Sequence, residues 1–169
     1  MGELHLTRRA ALTVLAAAAV AVKASAAPVG DVRFREIRVD VSPLKAKSEG
    51  DEAQWVAAVL PGYLKQTFAK YLAPGDRGAG VLVARVDDVV LGPFNSNMSI
   101  GLGNDTTDDI EGAAVVLDGR GRVVGSYPLL SSVRADSLPN SGYPTDVLRR
   151  RVETLALSFA QWLPGKMGL

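Results

Sequence analysis

Ile110-Glu111-Gly112-Ala113-Ala114-Val115-Val116-Leu117, then Asp118-Gly119-Arg120-Gly121, then Arg122-Val123-Val124-Gly125-Ser126-Tyr127-Pro128-Leu129-Leu130: this stretch decides the fold. Two β-prone runs flank a glycine-rich turn, the strongest short-range hairpin signal in the chain. Take Gly119 and Arg120 as the two turn residues, glycine first as a type II′ turn requires. Val116 then faces Val123, Val115 faces Val124, Ile110 faces Leu129, and Tyr127 lies over Gly112. In that register residue 128 belongs to a non-hydrogen-bonded pair. Pro128 has no N–H to donate and suits the position. Centring the turn on Asp118-Gly119 would instead place Pro128 where a ladder bond is needed. The second strand of the hairpin is therefore expected at an edge near Pro128.

Upstream, Gly80 to Leu91 reads as a strand, and Val81-Leu82-Val83-Ala84 is apolar on both parities, as in a central position. Val32 to Ser42 reads as the first strand. Val32 and Phe34 share one parity while Ile37, Val39 and Val41 share the other, so a bulge or a late start is expected at Arg35-Glu36. Between these strands, Ser48-Glu49-Gly50-Asp51 has capping-box spacing. Val56, Leu60, Leu64, Phe68 and Leu72 then recur every fourth residue, one apolar helical stripe that Pro61-Gly62 should kink or restart. Downstream, Leu148, Val152, Leu155, Phe159 and Trp162 form a second stripe on a helix expected to end at Pro164-Gly165, with Arg149, Arg150 and Arg151 turned outward. Residues 93 to 109 and Ser131 to Pro144 read as irregular loops. The order β-α-β-β-β-α predicts an α+β fold: a two-layer sandwich with a four-stranded, mainly antiparallel sheet and two helices on one face.

The amino terminus reads as an export signal. Arg8-Arg9, an apolar run from Ala10 to Val22, and the small-residue site Ala24-Ser25-Ala26 follow in the expected order. Thr7-Arg8-Arg9 with Leu12 resembles the twin-arginine export motif. Cleavage after Ala26 would leave residues 27–169 as a single domain in the periplasm. No stable membrane span would then remain, since the apolar run is lost with the leader. The full chain carries a formal net charge of +1. The leader holds three of the 19 basic residues and one of the 18 acidic ones, which leaves 16 against 17 and no nucleic-acid footprint. There is no cysteine, which excludes disulfides, thiol nucleophiles, thiolate metal sites and lipobox lipidation. The one histidine, His5, lies in the leader.

What chemistry remains is oxygen chemistry. Asn104-Asp105-Thr106-Thr107-Asp108-Asp109-Ile110-Glu111 is the densest polar run, and hard cations take several oxygen ligands. Asp105, Asp108, Asp109 and Glu111 are accordingly the candidate ligands, with calcium as the candidate ion. The spacing does not match an EF-hand loop. Asp87, Asp88 and Asp109 could serve acid–base work, and Ser42 with Lys45 is a nearby Ser/Lys arrangement. A hydrolase that uses neither histidine nor cysteine is the minority reading these residues leave. A stripe of Arg33, Arg35 and Arg38 could meet an anion.

The Val81–Leu91 strand, the Gly112–Leu130 hairpin and the Leu148–Trp162 helix together resemble small bacterial envelope proteins of β-α-β-β-β-α type, related to the amino-terminal domain of TolB. That resemblance implies an assembly or interaction role, with another envelope protein as partner and no cofactor. The sequence thus reads as an exported, non-catalytic binding or envelope-assembly accessory protein. Small-ligand or cation binding through residues 104–111 is the alternative.

Overall fold

A computed structural model describes residues 32–92, 107–135 and 144–169. The elements run β1 (Phe34–Asp40), α1 (Ser42–Lys47), α2 (Glu52–Thr67), a 3-10 turn (Ala69–Tyr71), β2 (Gly80–Val90), β3 (Thr107–Leu117), β4 (Val123–Arg134) and α3 (Pro144–Met167). The strands lie side by side in sequence order. β1 pairs parallel with β2, and the other two pairings are antiparallel. This is the expected α+β sandwich, with a mixed, mainly antiparallel sheet. The leader and the run 93–106, which includes Asn104 and Asp105, lie outside the described residues.

The parity switch in β1 is a register shift between Phe34 and Glu36. Phe34 is buried on the helix side, edge-on to Phe68 with ring centroids 6.0 Å apart. A second shift, between Val86 and Asp88, leaves Asp87 without an opposite residue on β3. Gly112 sits opposite Val86, where an added Cβ would fall 2.1 Å from the Arg85 carbonyl oxygen and 3.1 Å from Phe159 Cζ. Glycine is needed there because the β2 backbone carbonyl of Arg85 occupies the place of a Cβ, with the Phe159 ring close behind it.

The hairpin keeps Gly119 and Arg120 as central turn residues, but its register differs from the expected one. Gly121 takes the positive φ of 81° and donates to the Asp118 carbonyl at 3.0 Å. Asp118 N–H in turn donates to Arg122 O at 2.9 Å. A turn followed by a left-handed glycine adds one residue to the loop. A further shift between Val116 and Leu117 adds another. Ile110 therefore faces Ser131, Gly112 faces Leu129, and Tyr127 faces Ala114. A slip of two preserves side-chain parity, so the core face is unchanged. β4 is an edge strand, as Pro128 implied.

The helices depart from expectation in five places. The short α1 follows β1 directly, with Pro43 in its first turn and Leu44 buried. α2 is capped at Asp51 rather than Ser48, whose hydroxyl instead hydrogen-bonds Glu52. Pro61 lies inside α2, which continues through it as one element. α3 likewise runs past Pro164 to Met167. Trp162 is 65% exposed, contrary to its place in the expected stripe. The buried line is Val152, Leu155, Ala156, Phe159, Ala160, Leu163 and Met167. An α-helix drifts about 20° per heptad from a strict seven-residue repeat. The two alanines, not the next large residue, therefore stay over the core.

Candidate functional site

The chain ends its elements in two groups. β2 stops at Val90, β3 starts at Thr107, β4 stops at Arg134 and α3 starts at Pro144, all at one end of the sandwich. Here Arg151 is 2% exposed, which corrects its expected outward placement. Its Nε donates to Asp108 Oδ2 at 2.8 Å, and its Nη2 donates to Asp108 Oδ1 and to the Gly92 carbonyl. Gly92 N–H closes the set by donating to Asp108 Oδ1 at 3.0 Å. Two residues on either side of the 93–106 segment are thereby tied to each other and to α3. Bidentate pairing satisfies both buried charges.

This pair was legible in part. Asp108 shares the parity of Ile110, Ala114 and Val116, which are buried. Arg151 stands four residues before Leu155 and eight before Phe159, on the apolar stripe. A buried aspartate on the sheet and a buried arginine on the covering helix are each other's natural partners.

The pair also divides the candidate cation ligands. Asp108 faces the helices, whereas Asp109 and Glu111 lie along the opposite, helix-free face. Thr107 Oγ1 donates to Asp109 Oδ2 at 3.4 Å. Among the described residues no group of three carboxylate or histidine side chains could hold a metal ion. Asp105 lies outside the described residues.

The second face of the sheet carries the other polar candidates. Its cross-strand rungs are Glu36–Val81–Leu117–Val123, Arg38–Val83–Val115–Ser126, Asp40–Arg85–Ala113–Pro128, Asp88–Glu111–Leu130 and Val90–Asp109–Ser132. Arg85 donates to Asp87 through Nε at 2.7 Å and Nη2 at 2.9 Å. Hydrogen bonding to Asp87 raises the Arg85 pKa further above its ordinary value. The Ser42 backbone N–H, 2.9 Å from Asp40 Oδ1, holds that carboxyl below its usual range. Lys47 reaches Asp88 at 3.3 Å. Ser42 and Lys45 are exposed on α1. These carboxylates are spread along an open surface, each with its own local partner.

Two features of this face are unusual for a solvated surface. Asp88 and Glu111 are directly opposite, a like-charge pairing that sheets avoid. Beside them, Leu130 on the β4 edge is 63% exposed, and Val90 is also exposed. Apolar side chains next to an acidic corner, on an edge strand with unpaired backbone groups, make a surface suited to a partner.

The class defined by this geometry is an open-faced α+β sandwich, with helices on one side of its sheet and solvent on the other. No protein-family model and no curated protein sequence matches the chain. Solved structures with a similar course include the PelC dodecamer from Paraburkholderia phytofirmans, at 13% identity and a TM-score of 0.47, over 85% of this chain and 93% of that one. A proposed lipoprotein from Caulobacter crescentus CB15 is similar at 17% identity and a TM-score of 0.45, over 78% and 87% of the two chains. A minor lipoprotein from Acinetobacter baumannii is similar at 15% identity and a TM-score of 0.36, over 79% and 93%.

Proposed function

We propose that this chain is an exported, non-catalytic envelope protein that binds another protein through the helix-free sheet face beside β4. The observation that carries the reading is the apolar and acidic surface formed by Leu130, Val90, Asp88, Glu111 and Asp109. Such a surface fits a partner that offers an apolar patch flanked by basic residues. Export rests on the leader read from Arg8-Arg9 through Ala26, which points to the periplasm and, by its arginine pair, to the twin-arginine route. No helix among the described residues is long and apolar enough to cross a membrane. Of the candidate cation ligands, Asp108 has both oxygens engaged by Arg151.

A photo-crosslinking residue at Leu130 tests this in intact cells, with the same residue at the exposed Lys65 on α2 as control. The expected result is one adduct from position 130 and none from 65. The purified partner should then lose roughly tenfold in affinity on Leu130→Glu, about 1.4 kcal/mol of interface energy. Unchanged affinity in a variant with a normal melting curve would refute the assignment of this face.

A further inference from the structure

The opposite end of the sandwich has the opposite charge. Two turns meet there: residues 76–79, which lead into β2, and the hairpin turn 118–122. Arg35 fastens them, its Nη1 donating to the Arg77 carbonyl at 3.3 Å and the Gly119 carbonyl at 3.5 Å. The two turns are in van der Waals reach at Gly119, where an added Cβ would lie 3.4 Å from Arg77 O. Arg33, Arg77, Arg120 and Arg122 are exposed around this junction. Among the described residues of the two turns the acids are Asp76 and Asp118, and both are consumed locally. Asp76 Oδ1 accepts from Gly78 N–H at 2.8 Å. Asp118 accepts from the Arg120 and Arg122 backbone N–H groups and from Arg122 Nε. Among the described residues this end therefore holds more arginines than carboxylates, although the processed chain is close to neutral.

Chain direction adds a second observation. Val32, where the described chain begins, is at this same end, because Gly80 N–H donates to Arg33 O and β1 starts beside β2. The apolar run that ends at Val22 joins the fold here, ten Cα–Cα steps before Val32. Fully extended, that span reaches at most about 36 Å. While the leader is in the membrane, this end of the domain is the one held near the bilayer.

We propose that the Arg77–Arg120 end of the sandwich docks on an anionic lipid bilayer, leaving the Leu130 face and the Arg151 end directed away from it. Clustered arginines at a fixed surface gain attraction to acidic headgroups within a Debye length. The two turns present their guanidinium groups from rigid backbone, so little ordering is needed on contact.

Vesicle flotation tests this with the processed chain, residues 27–169, which contains every described strand and helix. Vesicles of phosphatidylglycerol mixed equally with phosphatidylcholine should carry the protein, and pure phosphatidylcholine should not. The double variant Arg77→Gln/Arg120→Gln should partition roughly 25-fold more weakly, about fivefold per arginine removed from the surface. Lys45→Gln, on α1, should float like the parent. Melting curves show whether each variant is folded. Equal flotation on neutral vesicles, no flotation on the acidic ones, or a double variant that floats normally would each overturn the proposal. Binding to heparin without flotation would overturn it too, and would assign the patch to a soluble polyanion. Leu130→Glu should leave flotation unchanged, so this result stands or falls apart from the partner-binding face.

Discussion

Removing the Arg151 guanidinium would leave Asp108 charged and buried, with Gly92 N–H as its described donor. Losing one member of a buried ion pair costs about 3–5 kcal/mol. Arg151→Met is expected to lower the urea-unfolding free energy by that amount. A loss below about 1 kcal/mol would show that water reaches the pair. Gly112→Ala is a sharper test of packing. Its methyl would collide with backbone, which cannot rotate away as a side chain can, and about 3 kcal/mol should be lost. Trp162 sits at the other extreme. Trp162→Phe should change stability by less than about 0.5 kcal/mol, and Trp162 fluorescence in a Trp55→Phe background should be readily quenched by iodide. Large apolar spacing alone placed Trp162 in the core. It could not show that Ala156 and Ala160 occupy the line of closest approach.

At the scale of elements, the hairpin is fixed by one side chain. Asp118 holds the Arg120 and Arg122 amides, and its carboxyl is lowered below the ordinary 3.8, first by the Arg122 backbone N–H. A carboxyl with a depressed folded-state pKa stabilises the fold above its unfolded value. That contribution is lost as pH falls through the folded value. Protection of the Arg120 and Arg122 amides, taken relative to their intrinsic exchange rates, should therefore hold above pH 3.8 and fall below it. In Asp118→Asn the acid-dependent step should disappear. The glycine-rich turn marked the hairpin and its central residues correctly. Its register escaped because a left-handed Gly121 and the irregularity at Leu117 each inserted a residue, and two insertions together leave the alternation intact. The proline positions misled for a related reason. Proline removes one intrahelical hydrogen bond, yet the continued burial of Leu60 and Leu64 in α2, and of Leu163 and Met167 in α3, outweighs that loss.

For the whole molecule, charge separates along the strand direction, with arginines at the hairpin end and carboxylates at the far corner of the open face. Neither cluster is visible in the near-neutral totals. The basic residues come from β1, the turn before β2 and the hairpin, and the acidic ones from the end of β2 and the start of β3. Only pairing of distant strands brings each set together. The helix-free face follows from the same topology. Both long helices cover the parity of Phe34, Leu82, Ala84, Ile110 and Ala114, so the other parity has no layer over it.

The chain by itself determined its four strands and two long helices, the bulge in β1, the edge position of β4 and the absence of thiol chemistry. Those properties depend on neighbours a few residues apart, where backbone period and side-chain type suffice. Tertiary structure decided that Arg151 turns inward to Asp108, that Trp162 turns out, and that five arginines from three segments share one end. Each of those outcomes depends on which distant groups meet, and on whether a buried charge finds its counterpart there.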